Sequence, residues 1–263
     1  MALLPVHLPI LMYHQIMPES HPDFKKHIAT TPENFRHQVT HLMENGWTIM
    51  TLEEYFAHPP GKRPKKAAML TFDDVCKNFI EYAVPIFKEL NVRANIFPIQ
   101  NMTFNLPFHN LKPQGIPALT EQDIKDLDQM GFAIGSHCQS HQNLHKIPFD
   151  QAKKELKESK EWLEGLLGKE VKTICYPIGG IDRDIVNAAK EIGYSIGIST
   201  LKGSLQILET DLMSLRRVDI KNHVIGKKLK FAISPFYGFR RFITRPIRSK
   251  YRVSGRHPSV VGK

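Results

Sequence analysis

Over its first 220 residues this chain alternates short apolar runs with helix-patterned stretches, and that alternation most constrains its fold. "PILMY", "WTIMT", "AAMLTF", "RANIFPI", "FAIGS", "VKTICYP", "YSIGI" and "SLRRVDI" read as strands. Between them "TTPENFRHQVTHLMENG" reads as a helix with Thr31 as N-cap, Pro32 in the first turn, and Phe35, Val39 and Leu42 on one face. "NFIEYAVPIFKEL", kinked or broken at Pro85, residues 120–130, "FDQAKKELKESKEWLEGLLG" and residues 182–192 read as further helices, and residues 101–118 as a Pro- and Asn-rich loop. Such alternation argues for an α/β protein with parallel strands and crossover helices. Ligands in these folds sit beyond the carboxyl ends of the strands. Asp73 and Asp74, His137, and Pro177 to Gly179 each follow a strand, so they should meet on one rim.

The strand "AAMLTF" ends in two adjacent carboxylates, Asp73 and Asp74. An ionised carboxylate inside a protein is costly unless it is paired or bound to a cation, and two side by side repel. A metal at Asp74 resolves the conflict. "SHCQSH" supplies His137 and His141, four apart, and together with Asp74 they would make a two-histidine, one-carboxylate site with a position open for water. Asp73 would remain unligated as a general base. With 13 histidines, pairs at this spacing also arise by chance. His37/His41 is one, lying off the apolar face and read as solvated, so the joint pattern carries the weight.

These segments resemble the polysaccharide deacetylase (NodB-homology) family, and specifically its branch of poly-N-acetylglucosamine deacetylases. The likeness runs over residues 8–220 through "LPILMYHQI", "TTPENFRHQVTHLMENGWTIMTLEEY", "MLTFDDVCKNFIEYAVPIFKELNVRANIF", "GFAIGSHCQSHQNL" and "ICYPIGG". It implies a distorted, incomplete (β/α) barrel and metal-dependent hydrolysis of an acetyl group on a sugar. On that resemblance Asp73 is the catalytic base and Asp74, His137 and His141 hold the metal, most simply zinc, with nickel, cobalt or iron as alternatives. The backbone N–H of Ile178 would donate to the oxyanion, His14 of "MYH" would protonate the leaving amine, and Arg217 of "LRRV" would lie against Asp73. Two positions depart from the family pattern. Val75 stands where glycine is usual, which would strain the loop if that position needs φ > 0. Cys138 stands where serine or threonine commonly follows the first histidine, and it is expected to point into the core. An acetylated glycan or glycolipid is the expected substrate. Hydrolysis of another small amide or ester, and a silent carbohydrate-binding relative, stay open as alternatives.

Charge divides the chain. The net charge is +10, yet no acidic residue follows Asp219, and the last 44 residues hold 12 of the 36 lysines and arginines. Residues 1–222 are therefore read as the catalytic domain and 223–263 as a basic, aromatic-rich C-terminal extension. Phe231, Phe236, Tyr237, Phe239, Phe242 and Tyr251 interleave with its cations. That mixture suits an anionic membrane surface through residues 224–263, and the absence of any other nucleic-acid motif disfavours nucleic acid. The opening "MALLPVHLPILMYHQI" lacks a cationic start and is interrupted by Pro5, Pro9 and His14, so neither a signal peptide nor a membrane span is expected. Cys76, Cys138 and Cys175, odd in number and without metal-ribbon spacing, fit reduced thiols. Both observations point to a cytoplasmic protein, and the basic, aromatic tail would place it at the inner face of the membrane.

Overall fold

Seven parallel strands, each beside its neighbours in the chain, form the centre of the molecule in a computed structural model that describes residues 5–104, 116–208 and 212–237. They are β1 (Ile10–Tyr13), β2 (Ala67–Asp73), β3 (Asn95–Phe97), β4 (Ala133–Ile134), β5 (Thr173–Cys175), β6 (Ile196–Lys202) and β7 (Leu215–Asp219). The order across the sheet is β4-β3-β2-β1-β7-β6-β5, and every pairing is parallel. Ser136, two residues past β4, bridges Ile174 of β5 and brings the two edges together. The result is a nearly closed barrel. Thr48–Ile49 adds a short eighth strand beside the start of β2.

Helices α1 (Pro32–Glu44), α2 (Val84–Leu90), α3 (Glu121–Gln129), α4 (Phe149–Leu167) and α5 (Arg183–Ile192) cross between successive strands. Thr31 caps α1 by accepting from the Asn34 N–H, and Phe35, Val39 and Leu42 face inward as their spacing requires. His41, read as solvated, is half-buried instead, with an unpartnered Nε2. A π-helical turn, Phe79–Ala83, precedes α2 and leaves Pro85 in the first turn of α2, where its missing N–H costs nothing. The segment read as loop from residue 101 begins inside a helical turn, Gln100–Thr103, and residues 105–115 lie outside the described residues.

Alternation along the strands sorts two cores. Ala68, Leu70 and Phe72 of β2 face outward and pack against the helices. Ala67 and Met69 face inward with Ile10, Phe97, Ile196, Ile198 and Leu215, and Leu52 and Tyr55 join them. The same parity carries Thr71 and Asp73 into the barrel, above the apolar layers.

The segment read as a separate extension starts as part of this fold. Helix α6 (Gly226–Ala232) buries Leu229 and Ala232, and Ile233 follows them into the outer core. His7 Nε2 donates to the Ile233 carbonyl (2.7 Å), and Ser204 donates to that of Ser234 (2.7 Å). A boundary at 222/223 would therefore cut through packed structure. The sequence beyond Tyr237, with Phe239, Phe242 and Tyr251, lies outside the described residues.

Candidate active site

Five side chains converge at the carboxyl ends of β2, β4 and β7. Asp73, the last residue of β2, is buried, and Arg217 from β7 is 1% exposed. Arg217 grips Asp73 with a two-pronged bond, Nη1 to Oδ1 and Nη2 to Oδ2, both 2.7 Å. Two further donors are used, Nε on the Ser199 carbonyl (2.9 Å) and Nη1 on Thr71 Oγ1 (3.2 Å). Burial would push Asp73 upward, but the guanidinium outweighs it and holds the carboxyl well below the usual carboxylate range. Asp73 is thus an ionised base locked in one orientation.

Asp74 turns the other way because its backbone is left-handed, φ 56°. Its Oδ1 is buried and accepts no hydrogen bond, while His137 Nε2 and His141 Nε2 stand 3.4 and 3.5 Å away. His137 Nδ1 donates to the Cys175 carbonyl (2.6 Å), so in the neutral ring that a metal requires the Nε2 lone pair faces Asp74. Two imidazole nitrogens beside a buried carboxylate oxygen that accepts no hydrogen bond are a set of donor atoms suited to a cation. The spacing agrees, since ligand atoms each ~2.1 Å from one tetrahedral ion lie about 3.4 Å apart. The three donor atoms lie within 4.8 Å of one another, and the residues present fit a divalent metal.

His14 directly follows β1, whose Tyr13 pairs with Phe72 in register, so it sits beside Asp73. It is close enough for its charged form to favour both carboxylates. Ile178 stands on the turn after β5 at the same rim, 47% exposed, with φ 58° and ψ 7°. The turn's own bonds run from the Gly179 N–H to the Tyr176 carbonyl and from the Gly180 N–H to the Pro177 carbonyl, leaving the Ile178 N–H outside them. Four of the five described non-glycine residues with positive φ are Asp74, Cys138, His141 and Ile178, and the fifth, Asn91, caps α2. Backbone strain of this kind costs about 1–3 kcal/mol per residue and gathers where side chains must be aimed.

Val75 is not among the strained residues: Asp74 takes the left-handed position, and Val75 is buried in the core. Cys138 also points into the core, 0% exposed.

Three contributors escaped the sequence reading. The Cys175 thiol, kept protonated by burial, donates to Asp73 Oδ1 (3.3 Å). Gln15 donates to the Asp74 carbonyl (3.0 Å), and only its place beside His14 in "MYHQI" hinted at this. Glu155 of α4 is 3% exposed and accepts from the Gln139 and Ser140 N–H groups (3.0 and 2.8 Å) and from the Ser140 hydroxyl. In sequence it is one acid among many on a charged helix, and nothing singled it out.

Comparison with known proteins agrees with this geometry. The family profile of polysaccharide deacetylases matches residues 60–197. YxkH of Bacillus subtilis is 27% identical over 224 residues, covering 84% of this chain and 74% of its own. The poly-β-1,6-N-acetyl-D-glucosamine N-deacetylase of Staphylococcus epidermidis is 25% identical over 215 residues, covering 78% and 72%. Among solved structures, the Streptococcus pyogenes deacetylase PplD, in complex with acetate, superposes with a TM-score of 0.77 at 28% identity, covering 88% of this chain and all of that one. The barrel, the aspartate pair and the matched profile lead to one conclusion: this chain belongs to the polysaccharide deacetylase family, hydrolases that act on N-acetyl amide bonds of glycans.

Proposed function

We propose that this chain removes the N-acetyl group from an N-acetylhexosamine of a glycan or lipid-linked glycan, with a divalent metal, most simply zinc, held by Asp74, His137 and His141. The observation that carries the reading is the buried, unpartnered Asp74 Oδ1 facing two imidazole nitrogens, beside a carboxylate that Arg217 holds ionised. When bound, the metal supplies Lewis-acid polarisation of the acetyl carbonyl and acidification of water. Asp73 takes the proton of the attacking water. His14 gives a proton to the departing amine nitrogen, which would otherwise leave as an amide anion. The Ile178 N–H donates to the carbonyl oxygen as charge develops there, a contribution of ~3 kcal/mol. Similarity to the S. epidermidis N-deacetylase supports an N-acetylglucosamine substrate, and the acetate bound by PplD is the acid that acetyl hydrolysis releases. A cytoplasmic position on the inner leaflet would bring the enzyme to lipid-linked cell-envelope precursors, such as those of lipopolysaccharide.

Metal content and acetate release from N-acetylglucosamine oligomers test the proposal together. The native chain should hold about one equivalent of metal, and Asp74→Ala and His141→Ala should lose it. Asp73→Asn should keep the metal yet lose at least ~10²-fold in rate, the share expected of a general base. A native chain that takes up no metal after zinc addition would overturn the reading, and unchanged activity in Asp73→Asn would remove Asp73 from it.

A further inference from the structure

Helix α6 packs on the outer core with one apolar face, so it needs no second one. Leu229 and Ala232 fill the inner face. The outer face nevertheless carries Phe231, 59% exposed, with Ile225 before it (40%) and Phe236 after it (74%). Six large hydrophobic side chains are exposed among the described residues, and three of them fall within these 12 positions. Lys227, Lys228 and Lys230 are exposed alongside. Lys227, Lys228 and Phe231, one helical turn apart, line the same surface cavity of about 350 Å³ with Tyr237. Asp219 is the one carboxylate lining it, and Lys202 (3.8 Å) and Lys221 (2.9 Å) already neutralise it. The sequence that follows, residues 238–263, adds eight basic residues and no acidic one.

We propose that this face of α6, continued through Phe236, docks on an anionic lipid surface. Lysines flanking exposed aromatic and aliphatic side chains match a surface of negative headgroups over hydrocarbon, where each cation and each ring finds its own layer. A duplex phosphate backbone is polar and anionic, and it offers the exposed Ile225, Phe231 and Phe236 no hydrocarbon layer. No described helix is long and apolar enough to cross a membrane. The proposal is independent of the deacetylase reading: vesicle binding by a chain that hydrolyses nothing leaves it standing.

Co-sedimentation of the full chain with phosphatidylcholine vesicles, with and without phosphatidylglycerol, tests it. Binding is expected only with phosphatidylglycerol, and it should weaken as salt rises. Replacing Lys227, Lys228 and Lys230 by Gln should weaken it about fivefold per lysine. Phe231→Ser should weaken it by roughly tenfold or more, the share of one aromatic side chain withdrawn from water. Phe236→Ser, at a position too exposed to disturb the fold, should act in the same direction. Equal binding to both vesicle types overturns the proposal. So does unchanged binding in Phe236→Ser and the lysine variant together, or binding to duplex DNA in place of vesicles.

Discussion

Arg217 and Asp73 make a buried ion pair whose worth depends on both partners being present. Removing one partner of such a pair strands a charge and costs about 3–5 kcal/mol. In metal-free protein, Arg217→Met should therefore lower stability by about that amount near neutral pH. The sign of its pH dependence follows. Asp73 is depressed in the native fold, so its contribution is complete above the unfolded carboxylate range and is lost only as pH falls through its low folded value. In Arg217→Met burial loses its strongest opponent, the Asp73 pKa rises from its native position, and protonation relieves part of the cost. The deficit should be largest above neutrality and shrink toward pH 4, which thermal unfolding at both pH values would show. An equal deficit at all pH values would mean that lost packing, and not the stranded charge, sets it. The resemblance pairs these two residues, but the depth of their burial is not readable from "LRRV".

The loop between β4 and α4 carries both histidines of the cluster on a strained path, with Cys138 at φ 65° and His141 at φ 56°. Such a loop needs anchoring, and α4 provides it twice on successive turns. Glu155 accepts from Gln139 and Ser140, and Ser159 bonds Ser136, whose Oγ also accepts from the Cys138 N–H (3.1 Å). Partners that orient metal-binding side chains typically change affinity 10–100-fold. Glu155→Ala should weaken metal binding by that factor, measured by chelator competition, while α4 keeps its helicity. Unchanged affinity would show that the loop holds itself. The amphipathic pattern of α4 was legible, yet the pattern says only which face is inward. Which inward polar group meets which backbone amide depends on how the helix lies across the barrel.

Closure of the barrel rests on a close approach at Gly135. A Cβ there would lie 2.4 Å from the Phe97 ring and 2.9 Å from the Thr173 carbonyl oxygen, where β4 meets β5. The carbonyl belongs to backbone and cannot step aside. Gly135→Ala should cost about 1–3 kcal/mol, read from denaturant unfolding, as overpacking does. A variant as stable as wild type would mean that the seam is open in solution. At the other end of the chain, α6 packs on the same outer core as the barrel helices. Leu229 is 0% exposed, so Leu229→Ala should cost about 2–5 kcal/mol, and a chain ending at residue 222 should unfold at lower temperature than the full one. Separate unfolding of α6, with the barrel unaffected, would restore the boundary at 222/223.

Short apolar runs and helical patterning, legible in the residues themselves, determined the strands, the helices and their parallel succession, and with them the rim where the paired aspartates and "SHCQSH" had to meet. Charge counting located the basic end of the chain, because charge is a property of the residues themselves. The tertiary structure alone decided the rest. Asp74, not Val75, takes the left-handed turn; Cys175 and Glu155, 20 residues apart in sequence, anchor two parts of one site; and α6 packs on the outer core. Each of these depends on which distant groups share a contact, and no local pattern carries information about contacts between segments that only the closed barrel brings together.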